Sequence, residues 1–145
     1  MEPPYKLFTS LEQIKRIDSR RVIYLFIFAI SFLVTEFGRH VYRPIIYRND
    51  IQDFGLADSI GNLGGIVVQV FFGLALMNPN HRQGYRIIGF LTMGYIIYEI
   101  VQPILPKGTF DFKDVVGTFI GGVCAALIFF LIHKKYKNNR VLVNL

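Results

Sequence analysis

Four long apolar runs separated by short polar stretches dominate the chain: Val22 to Gly38, Ser59 to Met77, Ile87 to Leu105 and Val115 to Ile132. As helices, each would be about 25 to 29 Å long, close to the ~30 Å thickness of a bilayer hydrocarbon core. In lipid the backbone has to satisfy its own hydrogen bonds, so the pattern predicts four transmembrane helices. The first run follows Lys15, Arg16, Arg20 and Arg21 and contains Ala29-Ile30-Ser31, a weak cleavage-like site. Its apolar stretch continues to Val34 behind a long charged leader, which predicts a retained helix and not a signal peptide.

Within the runs, the polar residues fall at helical spacings of three, four and seven. Asp58, Asn62, Gly65 and Gln69 form one stripe in the second run; Thr92, Tyr95, Glu99 and Gln102 form another in the third. Asp114, Gly117, Thr118 and Gly121 continue the pattern in the fourth, and the first run ends in Glu36, Arg39 and His40. Glu99 lies six residues inside its run, about 10 Å deep, where a carboxyl facing lipid is costly, so it is expected to face the bundle interior. Pro103 has no N–H to give the Glu99 carbonyl, which leaves an acceptor beside the carboxyl. Asp58 and Asp114 stand at helix starts, where a capping carboxylate contributes about 1 kcal/mol, so each is read either as a cap or as a pocket group. Asp111, Asp114 and Glu99 together would supply oxygen ligands of the kind a divalent cation takes. Gly117 and Gly121, with Ala125 following, form a small-residue face suited to close helix packing.

The composition agrees: 52% hydrophobic and only 18% charged residues suit a bilayer protein better than a small soluble enzyme. A net charge of +6 and a pI near 9.6 could suggest nucleic acid, but the basic residues flank the apolar runs, as membrane topology selects. Eleven Lys and Arg lie in the N-terminal segment, the loop from Asn78 to Arg86 and the C-terminal tail, against five in the other two loops. Both termini are therefore expected in the cytoplasm, with the first and third loops outside. Thr9-Ser10-Leu11-Glu12 matches a capping box, and Leu11, Ile14 and Ile17 would share one side of a short interfacial helix. The long first loop interleaves apolar residues with Arg39, Arg43 and Arg48 and is expected to rest in the outer interface as a cover. Cys124, the single cysteine, has no intrachain partner and is read as packing filler. His40, His81 and His133 fall in three different segments without zinc spacing. The expectation is an all-α integral membrane protein: a cytoplasmic segment 1–21, a four-helix transmembrane bundle 22–133 and a basic cytoplasmic tail 134–145.

Three motifs, taken in order, resemble the VanZ-like family, named for teicoplanin resistance: Asp58-Ser59-Ile60-Gly61-Asn62, Glu99-Ile100-Val101-Gln102, and Phe110-Asp111-Phe112-Lys113-Asp114-Val115 followed by Gly121. The likeness covers about residues 22 to 133. It departs from the family at Lys107-Gly108-Thr109, where an arginine is usual, and at Thr118, which stands in place of an asparagine. The resemblance implies a protein of the bacterial cytoplasmic membrane that lowers susceptibility to lipid-tailed glycopeptides. On this reading Asp58, Asn62, Glu99, Gln102, Asp111, Asp114 and Thr118 line an outward-facing polar pocket for a lipid headgroup, a cell-wall precursor or a lipoglycopeptide. Gly117 and Gly121 pack helices. Membrane lipids are the expected partners, an oligomer is compatible with the pattern, and no nucleic acid, cofactor, metal or catalytic residue is assigned. Two alternatives remain: a membrane-embedded enzyme acting on a lipid-linked substrate with Glu99 as acid or base, and a small oligomeric transporter. The absence of a well-placed Ser, Cys or His nucleophile argues against the first, and the lack of an internal repeat against the second.

Overall fold

The computed structural model describes residues 19–106 and 108–143, and the protein is all-helical. Helix α1 (Ser19–Phe37) passes through a π-helical turn (Gly38–Tyr42) into α2 (Arg43–Arg48). Helices α3 (Leu56–Met77), α4 (His81–Val101) and α5 (Phe112–Val143) follow, with a 3-10 turn at Gln102–Ile104 closing α4. Four helical units, Ser19–Arg48, Leu56–Met77, His81–Ile104 and Phe112–Lys135, are long and apolar enough to cross a membrane, and the protein is a multi-pass membrane protein. The interfacial helix expected around Leu11, Ile14 and Ile17 lies outside the described residues. The basic tail continues α5 as helix to Val143.

The long first loop expected after Gly38 is replaced by helix. Pro44 cannot donate to the carbonyl four residues before it, and just ahead of it the ladder widens: the Arg43 N–H bonds back five residues to the Gly38 carbonyl. The hydrophobic pattern ends near Gly38, but the backbone hydrogen bonding does not, and only residues 49–55 form the connection to α3.

Each later helix has a recognisable start. Asp53 accepts from the Gly55 and Ala57 N–H groups at 3.1 and 2.6 Å, and Gly55 takes the left-handed turn, φ 84°, that lets α3 begin. Asn80 and Gln83 form a reciprocal capping box at α4. Asp111 accepts from the Lys113 N–H at 2.9 Å at α5.

Helix α3 lies between α1 and α5. Thr35 of α1 presses on Gly64, and Phe28 lies tilted against Phe72 with ring centroids 5.3 Å apart. On the other side, a Cβ at Gly121 would stand 2.3 Å from the Leu63 carbonyl oxygen and one at Gly117 2.9 Å from Ser59, so α3 and α5 meet backbone to backbone. The apolar core, Tyr24, Ile66, Val70, Phe71, Leu74, Ile88 and Phe129 among others, lies towards the end where α1 begins and α3 ends. There Arg21 donates to the Leu76 carbonyl across 3.3 Å. The opposite end, where Asp58, Glu99 and Asp114 lie, carries the polar side chains. Large apolar residues such as Phe26, Leu33, Phe90 and Leu131 point away from the bundle, as a lipid-facing surface requires. Cys124, expected as packing filler, is also exposed on the outside of α5.

Candidate functional site: a two-tier polar cleft

The seven residues singled out from the sequence all lie at one end of the bundle, in two tiers. The outer tier is a bridge. Asp58, in the first turn of α3, accepts from Tyr47 of α2 and from Lys113 Nζ of α5 at 2.5 Å. Arg43 donates to the Tyr47 hydroxyl at 3.2 Å and lies over its ring, 5.3 Å from the centroid. Tyr42 repeats the arrangement one step away, donating to Asp53 at 3.2 Å. A hollow of about 540 Å³ lies under this bridge, bordered by Tyr47, Asp53, Phe54, Asp58 and Lys113.

The inner tier is built on α4 and α5. Glu99 is 4% exposed and faces inward, in the protein and not in lipid. Asp111 and Asp114 stand close enough for their charges to act on it, and Asn62 of α3 stands close enough to favour the charged form of Asp114. The Gln102 amide, with its nitrogen towards its acceptors, donates to Glu99 Oε2 at 2.8 Å and to the Thr109 carbonyl at 3.2 Å. It thereby ties the α4–α5 connection over the carboxyl. Thr118, one turn below Asp114, is fully buried, and its hydroxyl has no partner among the described residues. No cation forms an ion pair with Glu99 or Asp114 among the described residues; Arg43 acts on Asp114 only at longer range. Nor do three acidic, histidine or cysteine side chains converge as a metal site among the described residues, so the cation reading of Asp111, Asp114 and Glu99 finds no geometry here.

Two capping expectations are corrected. Asp53, not Asp58, caps α3, and Asp111, not Asp114, caps α5. Asp58 and Asp114 sit within the first turns instead, with their carboxyls released for contacts between helices. Glu36 does not join the site, because it pairs within its own helical unit with Arg39 at 3.5 Å and His40 at 3.0 Å.

Helices α3 and α4 meet towards the apolar end of the bundle. Gly73 of α3 touches Ile87 and Leu91 of α4, at 3.8 and 3.7 Å from a built Cβ. Along the same α3 stripe, towards Asn62, Gln69 is exposed and Gly65 has nothing within 4 Å. The two helices touch near Gly73, and the α3 surface at Gln69 and Gly65 is open.

Sequence reading missed the two tyrosines. Tyr42–Asp53 and Tyr47–Asp58 are both separated by eleven residues, a repeated interval that was visible in the chain but meaningless without the helix through Pro44. It also missed a pairing at the other end, where the His81 and His133 rings lie 5.2 Å apart against Phe129. No family model, curated protein or solved structure matches the chain.

Proposed function

We propose that this four-helix membrane protein is a VanZ-like, non-enzymatic binding protein of the bacterial cytoplasmic membrane. Its polar cleft opens outward, holds the headgroup of a lipid-linked envelope molecule or lipid-tailed glycopeptide, and so lowers teicoplanin-type susceptibility. The observation that carries this reading is the inner tier: a buried carboxyl about 10 Å inside its span, with Asp111 and Asp114 close enough for their charges to act on it and the Gln102 amide beside it. A side chain that costs about 2.5 kcal/mol or more to place in lipid is expected to serve a ligand or an interhelical contact, and among the described residues its one close donor is a neutral amide. The motifs Asp58 to Asn62, Glu99 to Gln102 and Asp111 to Asp114 meet at this cleft, as a shared binding site requires. No nucleophilic Ser, Cys or His lies among the inner-tier residues, which favours binding over group transfer.

The test is growth of bacteria expressing the wild type, Glu99→Gln or Asp114→Asn in teicoplanin and in vancomycin, with membrane protein level measured in parallel. The expected result is protection from teicoplanin but not vancomycin by the wild type, lost in both variants at normal protein level. Wild-type protein that accumulates but protects from neither drug overturns the antibiotic reading. Variants that protect as well as the wild type overturn the role of the inner tier.

A further inference from the structure

At the end of the bundle away from the cleft, two histidines from different helices meet in a setting that the cleft does not use. His81 is the first residue of α4, fixed there by the capping box of Asn80 and Gln83, and His133 of α5 faces it with ring centroids 5.2 Å apart. Phe129 lies against both rings, at 4.1 Å from His133 and 6.0 Å from His81. It fits because α4 passes it with a glycine: a Cβ at Gly84 would stand 2.0 Å from the Phe129 ring. His133 Nδ1 is 3.2 Å from the Phe129 carbonyl oxygen. A carbonyl only accepts, so Nδ1 carries the proton of the neutral ring and Nε2 keeps its lone pair. That nitrogen is buried and has no partner among the described residues. A carbonyl that holds one ring nitrogen and so fixes the other as a lone-pair donor is the support that metal-binding histidines have. His81 is exposed, so its ring can turn either nitrogen to the same gap.

Two imidazoles bound to one tetrahedral ion through nitrogens at about 2.0 to 2.1 Å, each ring centre roughly 1.1 Å further back, have their centres about 5.2 Å apart. The observed separation is the same. Aromatic packing on Phe129 would also bring the rings together, but it gives His133 Nε2 nothing to bond. We infer that His81 and His133 bind a divalent transition-metal ion of the zinc or copper(II) kind, which ties the start of α4 to α5. Imidazole nitrogen selects these ions over magnesium and calcium, which take oxygen ligands. Among the described residues no third histidine, cysteine or acid joins the pair, so water completes the coordination. Arg20 is close enough for its charge to act on His133, which opposes a dication. Two ligands beside a cation give an affinity well short of that of a closed four-ligand zinc site.

The experiment uses purified full-length protein carrying His40→Ala, which leaves His81 and His133 as the only histidines. Cu2+ is titrated in and read by electron paramagnetic resonance, with electron spin echo modulation from the remote imidazole nitrogens, whose combination lines appear only when two rings bind one ion. One Cu2+ per chain is expected, with those lines present, and Zn2+ should displace it. Adding His81→Ala or His133→Ala should remove the combination lines and weaken binding by about ten-fold or more. Zn2+ should also raise the unfolding temperature, because it binds the folded chain, and His81→Ala should abolish that rise. His81 is exposed at a helix start, so its variant keeps the test open if His133→Ala does not fold, and size-exclusion profiles decide which variants are read. A single-imidazole signal at one equivalent of Cu2+, or an affinity unchanged by His81→Ala, overturns the two-histidine site. Absence of saturable Cu2+ binding up to about 1 mM overturns it as well and leaves the pair as aromatic packing on Phe129.

Discussion

Asp53 and Asp58 show how much a few residues of displacement changes a carboxylate's work. Asp53 lies just ahead of α3 and satisfies two backbone donors, whereas Asp58, within the first turn, reaches across to Tyr47 and Lys113. Replacing Asp53 with alanine removes the cap and should cost about 1 kcal/mol, seen as a lower unfolding temperature in detergent. Replacing Asp58 with asparagine breaks only a pair whose Lys113 partner is 53% exposed, where such pairs contribute little. Its unfolding temperature should stay close to the wild type; a drop as large as that of Asp53→Ala would show that the Tyr47–Asp58–Lys113 bridge holds the helices together. At this scale the sequence was half legible. Spacing alone put Glu99 inside the bundle, because the energetic cost of the alternative is large. It could not decide which of two nearby acids caps a helix, because that depends on where a left-handed glycine, Gly55, stops the loop.

At the scale of the helix, the apolar runs were readable because length and hydrophobicity are sufficient to define a span. The run from Arg39 to Arg48 was not, because its charged and tyrosine side chains conceal a helix that continues by backbone hydrogen bonding through a π turn. The small-residue spacing of Gly117 and Gly121 was also visible, but not the partner it meets. That partner is the α3 backbone at Ser59 and Leu63, so a larger residue at Gly121 cannot be relieved by moving a side chain. Gly121→Leu should separate α5 from α3 and destabilise the protein by about 1 to 3 kcal/mol or more, measured as a lower unfolding temperature and loss of a monodisperse peak. Gly89→Leu is the matched control, since a side chain there meets open space; equal damage from the two substitutions would contradict the close α3–α5 contact.

For the whole molecule, the alternating helices bring the start of α1 and the end of α3 to one end and the polar cleft to the other. Which end faces the cytoplasm is a question for the charges. Arg20, Arg21, Arg82, Arg86, Lys134 and Lys135 lie at the end away from the cleft, and eleven of the sixteen Lys and Arg fall outside the first and third loops in sequence, so the positive-inside rule predicts that the cleft faces outward and both termini face inward. The prediction can be tested in a Cys124→Ala background, which removes the exposed native thiol, with single cysteines at positions 48 and 80 and a membrane-impermeant reagent applied to intact cells. Position 48, beside the cleft, should label from outside; position 80, in the α3–α4 connection, only after the membrane is opened. The opposite pattern would turn the cleft towards the cytoplasm. There it would lie beyond the reach of an extracellular glycopeptide, and the antibiotic reading would fail.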